Sequence, residues 1–194
     1  MSPHWSTWIC LGLLLGACAK QPPELALRDA RITDDHRRLL VDAQDEVAIA
    51  QARVEDALRK RQERRDHQRE MLARVRAAGG SPGPWQELGR ARETLSDREL
   101  REARARFDYA EARFRLVRAE IATQADLAVI KIDPIRVEVE RDRAKLAELV
   151  RDTERALVEV ENLADETWKI WTRFLATSEG TGGFWRDVRS SRDD

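Results

Sequence analysis

Apolar residues recur along this chain at alternating steps of three and four. Leu40, Ala43, Val47, Ala50, Val54 and Ala57 form one such run, and Leu100, Ala103, Phe107, Ala110, Phe114, Val117 and Ile121 form a second. The phase continues through Ala125, Ala128, Ile132, Ile135, Val139, Leu146, Leu149, Ala156, Val160, Leu163, Ile170 and Phe174. This is the a/d pattern of helices laid against helices, and it confines the fold class to all-α. Alanine at every second position of the first run lets backbones approach closely, which favours antiparallel partners over a bulky parallel zipper. In the second run large and small residues alternate, which suits interdigitation. Phe107→Ala or Phe114→Ala would cost about 3–5 kcal/mol if those rings are buried.

Breaks in the pattern set the element boundaries. Ala78-Gly79-Gly80-Ser81-Pro82-Gly83-Pro84 must end one helix and redirect the chain. The first helix is therefore expected over Glu24–Ala78. Ser96-Asp97-Arg98-Glu99 has capping-box spacing. It predicts a second helix that starts firmly at Asp97, with Trp85 to Leu95 a short separate turn. Asp133-Pro134 allows two readings. Pro134 fits the first turn of a new helix with Asp133 as its cap, or it kinks one long helix. The unbroken seam phase favours the kink, which would give a long helical hairpin. Length favours a reversal near Lys131–Asp133, because that yields three matched helices of about 55, 48 and 44 residues, or roughly 65–80 Å each. The preferred expectation is an elongated antiparallel coiled-coil bundle of three long helices. Val150, Leu157, Ala164 and Trp171 lie beside the seam of the third helix and widen its apolar face, as if for more than one neighbour. Glu179-Gly180-Thr181-Gly182-Gly183 closes that helix and leaves a loose tail.

Charged residues make up 37% of the chain, yet they nearly cancel to a net charge of −1, so no long-range field points to nucleic acid. The basic stretch Arg59 to Glu70 places Arg61, Arg64 and Gln68 at seam positions. It reads either as a docking stripe for an acidic partner or phospholipid headgroup, or as a solvated face whose long stems cover apolar surface.

The N-terminus adds a different kind of information. Trp8 to Leu15 is an apolar run of eight residues, too short for the roughly 20 that span a bilayer, and it has the length of a signal-peptide core. Leu15-Gly16-Ala17-Cys18 follows it. This stretch resembles the lipobox of bacterial lipoproteins. The resemblance implies cleavage before Cys18, a thioether-linked diacylglycerol on the Cys18 sulfur and a third acyl chain on the new amine. Two chains already make a stable membrane anchor. Cys10 would leave with the signal, so the mature chain would have no free thiol; disulfides, zinc–cysteine sites and thiol catalysis are then excluded. Ala19 stands where enteric lipoproteins retained on the inner membrane carry Asp. The expected location is therefore the outer membrane, facing the periplasm, with inner membrane and cell surface as alternatives. The expected organisation is a signal over 1–17, a lipidated tether over 18–23 stiffened by Pro22-Pro23, a helical domain over 24–178 and a tail over 179–194. With Asp194 last rather than lysine, covalent attachment to the cell wall is not expected.

Two further clusters bear on function. Glu63, His67 and Glu70 share a helix face, but in a sequence this rich in Glu the spacing arises by chance, and no metal is expected. Trp168, Trp171 and Phe174 recur at three-residue steps, with Trp185 beyond and Trp85 expected at the same end of a three-helix bundle. They read as a docking tip for an envelope protein, or as rings that close the core. No nucleophile–base pair or phosphate-cradling glycine loop is present, so neither an enzyme nor a small-molecule cofactor is expected. The expected role is that of a scaffold, spacer or adaptor. The alternative is an accessory subunit of an envelope transport or secretion complex.

Overall fold

The computed structural model describes residues 29–77 and 79–177. The expected signal, the tether, the first residues of the expected helical domain and the C-terminal tail lie outside them. Three α-helices carry the described chain: α1 Asp34–Ala77, α2 Gly83–Gln124 and α3 Asp133–Thr177. At 44, 42 and 45 residues each is about 65 Å long. The fold is the expected three-helix one, and the kinked-hairpin alternative is set aside by a full reversal between α2 and α3.

Cross-helix pairs give the direction and register. Arg61 meets Asp97 at 2.6 Å, Arg65 meets Glu93 at 2.7 Å, and Glu46 meets Arg113 at 2.7 Å. Partner numbers in α2 fall as those in α1 rise, so the two helices are antiparallel. On the other side of α2, Glu120 meets Arg136 at 2.9 Å, Arg115 meets Glu138 at 2.9 Å, and Asp108 meets Lys145 at 3.4 Å. The order is up-down-up. Among the described residues the backbones of α1 and α3 nowhere come within 8 Å Cα to Cα, so α2 is the central helix and packs on both.

That central position explains a feature the heptad reading missed. Leu100, Ala103, Ala110 and Ile121 are buried, as the seam predicts. Ala105, Ala112 and Ala119 are buried as well, in a line of seven-residue steps that includes Arg98, whose Nη1 donates to the Asp152 carbonyl of α3 at 2.9 Å. This second face is turned to α3. Phe107 and Phe114 are only partly buried, and the Arg118 guanidinium covers the Phe114 ring at 5.5 Å. Truncating either ring therefore removes less than the ~3–5 kcal/mol of a fully buried one.

The seam of α3 holds at Val139, Ala156 and Val160. Polar residues fill the skipped positions. Asp142 is buried beside Arg141 at 3.1 Å, and Thr153 and Thr167 return their hydroxyls to the Leu149 and Leu163 carbonyls at 2.9 and 2.7 Å. A threonine bonded to its own preceding turn buries its hydroxyl without needing a partner across the interface. Of the widened face of α3, Ala164 packs on the cluster that α1 and α2 share, and nearer the middle of the helix Leu157 is 47% exposed, with Val158 beside it at 55%.

Both reversals use the same device. At the end of α1 the Gly80 amide donates to the Val75 carbonyl at 3.0 Å and Gly79 to Arg76 at 3.1 Å, with Gly79 at φ 72°. At the end of α2 the Leu127 amide donates to the Ala122 carbonyl at 2.9 Å and Asp126 to Thr123 at 3.3 Å, with Asp126 at φ 52°. These are Schellman endings, one built on glycine and one on aspartate.

Two expected boundaries are corrected. The first helix starts at Asp34 rather than near Glu24. Asp29 accepts the Arg31 amide at 2.9 Å and Thr33 Oγ1 accepts the His36 amide at 3.2 Å, so side chains take the amides that a longer helix would use. The second helix runs unbroken from Gly83, and Ser96 is not its cap. Ser96 Oγ is buried mid-helix, donates to the Arg92 carbonyl at 3.0 Å and accepts from Arg64 Nη1 at 3.0 Å. Glu99 turns across the seam to Arg64 of α1 instead of back to Ser96. A cross-helix arginine has captured both halves of the capping box.

Candidate functional site

Of the residues expected to carry function, Cys18 and Trp185 lie outside the described residues, as do the side chains of Trp171 and Phe174, although α3 continues through those two positions. Trp85 is 2% exposed. It is the first large residue of α2, placed directly behind Pro84 in the opening turn. Its ring belongs to one cluster with Met71 and Val75 of α1, Leu88, Ala91 and Leu95 of α2, and Ala156 and Val160 of α3. Trp168 packs against that cluster together with Leu72, Leu163 and Ala164. Trp85 and Trp168 thus come together as anticipated, at the end of the rod where α1 turns into α2. Trp85 faces the core there and presents no open ring to a partner.

About two to three turns along α1 from this cluster the seam becomes ionic. Arg61, Arg64 and Arg65 of the basic stretch point at α2 rather than forming an outward stripe. Arg61 meets Asp97, Arg65 meets Glu93 through Nε and Nη2, and Arg64 takes both oxygens of Glu99. Gln68 Nε2 donates to the Trp85 carbonyl at 2.7 Å. Gly89 makes room for that carboxamide, since a Cβ at position 89 would fall inside it. Arg69 meets Asp66 on its own helix at 3.2 Å. These groups, with Arg92, Glu93 and Ser96, line an open cleft of about 280 Å³ between α1 and α2. Burial lowers the pKa of Arg92 from its ordinary value, and the charge of Arg64 adds to the effect. The long stems of these arginines cover α2 where Leu or Val would otherwise pack.

At the opposite end of the rod the segment before α1 crosses the α2–α3 turn. Arg31 Nη1 donates to the Asp126 carbonyl at 3.3 Å, His36 Nε2 lies 3.1 Å from Gln124 Oε1, and Ile32 is 1% exposed. The Arg31 side chain and amide, both bonded to the Asp29 carboxylate, hold its pKa down at about 2.

Glu63 and Glu70 face Arg59 and Arg74, and among the described residues no group of three His, Asp or Glu side chains is placed to hold a metal ion. No helix among the described residues is long and apolar enough to cross a membrane. Compared with protein-family models, with curated proteins and with solved structures, the chain matches none.

Proposed function

We propose that this chain is a membrane-anchored periplasmic lipoprotein that works without catalysis, as a spacer, scaffold or adaptor. The observation that carries the reading is the parity of the bundle. Three antiparallel helices place the start of α1 and the end of α3 at opposite ends of a rod about 65 Å long. A lipid on Cys18, implied by the resemblance of Leu15-Gly16-Ala17-Cys18 to a lipobox, would tether one end of that rod. The aromatic end, with the turn at Gly79 and the last turns of α3, would then stand away from the anchor. An odd helix number is what such a spacer requires.

A lipoprotein-signal-peptidase inhibitor is expected to make the uncleaved precursor accumulate, and Cys18→Ser to release the protein from the membrane fraction. Unchanged processing and fractionation would sink the anchor. A photoreactive residue in place of Ile170, which is 48% exposed near the far end, then separates the roles. A discrete adduct that disappears with Cys18→Ser is expected of an adaptor, and its absence from a folded, anchored protein is expected of a plain spacer. The second reading, an accessory subunit of an envelope transport or secretion complex, draws on the apolar residues left open on α3, namely Val137, Leu157, Val158 and Ile170. Co-purification with a membrane complex that is lost on replacing these by Ser would favour it.

A further inference from the structure

Five arginines line the cleft between α1 and α2: Arg61, Arg64, Arg65 and Arg69 from one helix and Arg92 from the other. Four of them have a carboxylate each, in Asp97, Glu99, Glu93 and Asp66. Arg92 has none among the described residues, and the charge of Arg64 acts against its own. A partly buried guanidinium without a counter-ion is costly, because burial strips its water and nothing replaces the lost interaction. The helices meet here through long side chains rather than alanine, so the cleft stays open instead of collapsing. Its volume of about 280 Å³ lies just below the ~300–1,000 Å³ typical of organic-ligand pockets, and suits a compact ion with some water.

We propose that this cleft binds a phosphate group, with Arg92 as its primary ligand and the neighbouring arginines as the surrounding positive wall. Guanidinium forks recognise tetrahedral oxyanions through paired N–H donors, and five of them around one opening leave a single positive charge in excess of the paired carboxylates. Glu93 is the one carboxylate in the lining, and Arg65 holds it through two nitrogens. The site does not depend on the proposed anchor, and its test reads out separately from membrane fractionation.

The test is thermal unfolding of the full-length protein in buffers of equal ionic strength that contain chloride or inorganic phosphate. Phosphate at about 10 mM is expected to raise Tm by about 3 °C or more over chloride. Arg92→Gln is expected to melt no lower than the wild type in chloride, because it removes an unpaired charge, and to lose the phosphate-dependent rise. Arg92→Lys should keep part of that rise, as it keeps the charge but not the fork. Equal Tm in the two buffers would overturn the proposal, and so would a phosphate effect that survives Arg92→Gln. Arg92→Gln melting several degrees below wild type in chloride would overturn it too, by making Arg92 a structural group. Co-sedimentation with phosphatidylglycerol vesicles tests the source of the phosphate. Vesicle binding that requires Arg92, competed by free phosphate, would support the site with a lipid headgroup as its occupant. Competition without vesicle binding would support a soluble one.

Discussion

The two ends of the rod are closed by different means. At the α1–α2 turn, Trp85, Leu88, Met71 and Val75 fill a common core to which all three helices contribute. At the α2–α3 turn the buried residues are Ala119, Ile121, Ala122 and Ala125, with Ile32 laid over them from the segment before α1. Bulk does the work at one end, and close backbone approach plus polar crossings do it at the other. The difference teaches where stability is concentrated. An end held by large interlocked side chains opens only with the whole molecule, whereas one held by a short crossing segment can open locally.

Trp85→Ala should therefore have the largest effect, about 3–5 kcal/mol, since it empties the point where three helices meet. Chemical denaturation measures it, and a loss below 1 kcal/mol would mean the cluster is not the main fastening. Ile32→Ala should cost less, about 2 kcal/mol, although Ile32 is as buried as Trp85. Hydrogen exchange should show the extra opening confined to the first turns of α1, and spread of that opening to α2 would erase the contrast.

The turns sharpen the same comparison. Gly79 adopts positive φ freely, but Asp126 pays a steric penalty for its φ of 52°. Asp126→Gly should stabilise the weaker end by a few tenths to about 1 kcal/mol, and Gly79→Ala should destabilise the stronger one by a similar amount. A destabilising Asp126→Gly would show that its side chain has a role beyond the turn. The smallest effect belongs to Asp29. Its carboxyl has a folded pKa of about 2, below its ordinary 3.8. A depressed carboxyl contributes stability that is present above pH 4 and is lost as pH falls through the folded value. NMR titration should find Asp29 still ionised near pH 3, and Arg31→Ala should return it toward its ordinary value.

Much of this architecture could be read from residue spacing. Seam positions such as Leu40, Ala43, Leu100, Val139 and Val160 follow from periodicity. The glycine–proline break follows from turn chemistry, and the reversal beside Asp133-Pro134 from matching helix lengths, against a seam phase that runs on unbroken. The second face of α2 did not, because Ala105, Ala112 and Ala119 bury little apolar area and stand out only once α2 is known to be central. The inward turn of the arginines was hidden for another reason. A basic seam has the same spacing whether it faces solvent or a partner helix, and the deciding carboxylates, Asp97 and Glu99, lie some 35 residues away in what local reading took for a cap. Arg92 gave no signal in sequence, since its lack of a partner is a property of the fold.

The connectivity also has a mechanical meaning. Among the described residues the backbone of α1 packs only on α2, and that of α3 only on α2, with side chains of all three meeting at the Trp85 cluster. A load applied between the start of α1 and the end of α3 pulls along the rod axis and slides each helix lengthwise against its neighbour. Both seams are then loaded over their whole length at once, rather than one layer at a time as in a two-helix hairpin drawn apart from its open end. The ion pairs from Glu46–Arg113 to Arg65–Glu93, and from Glu120–Arg136 to Asp108–Lys145, act as teeth spaced along those seams. The fold resists stretch in the direction in which a tethered spacer would be pulled.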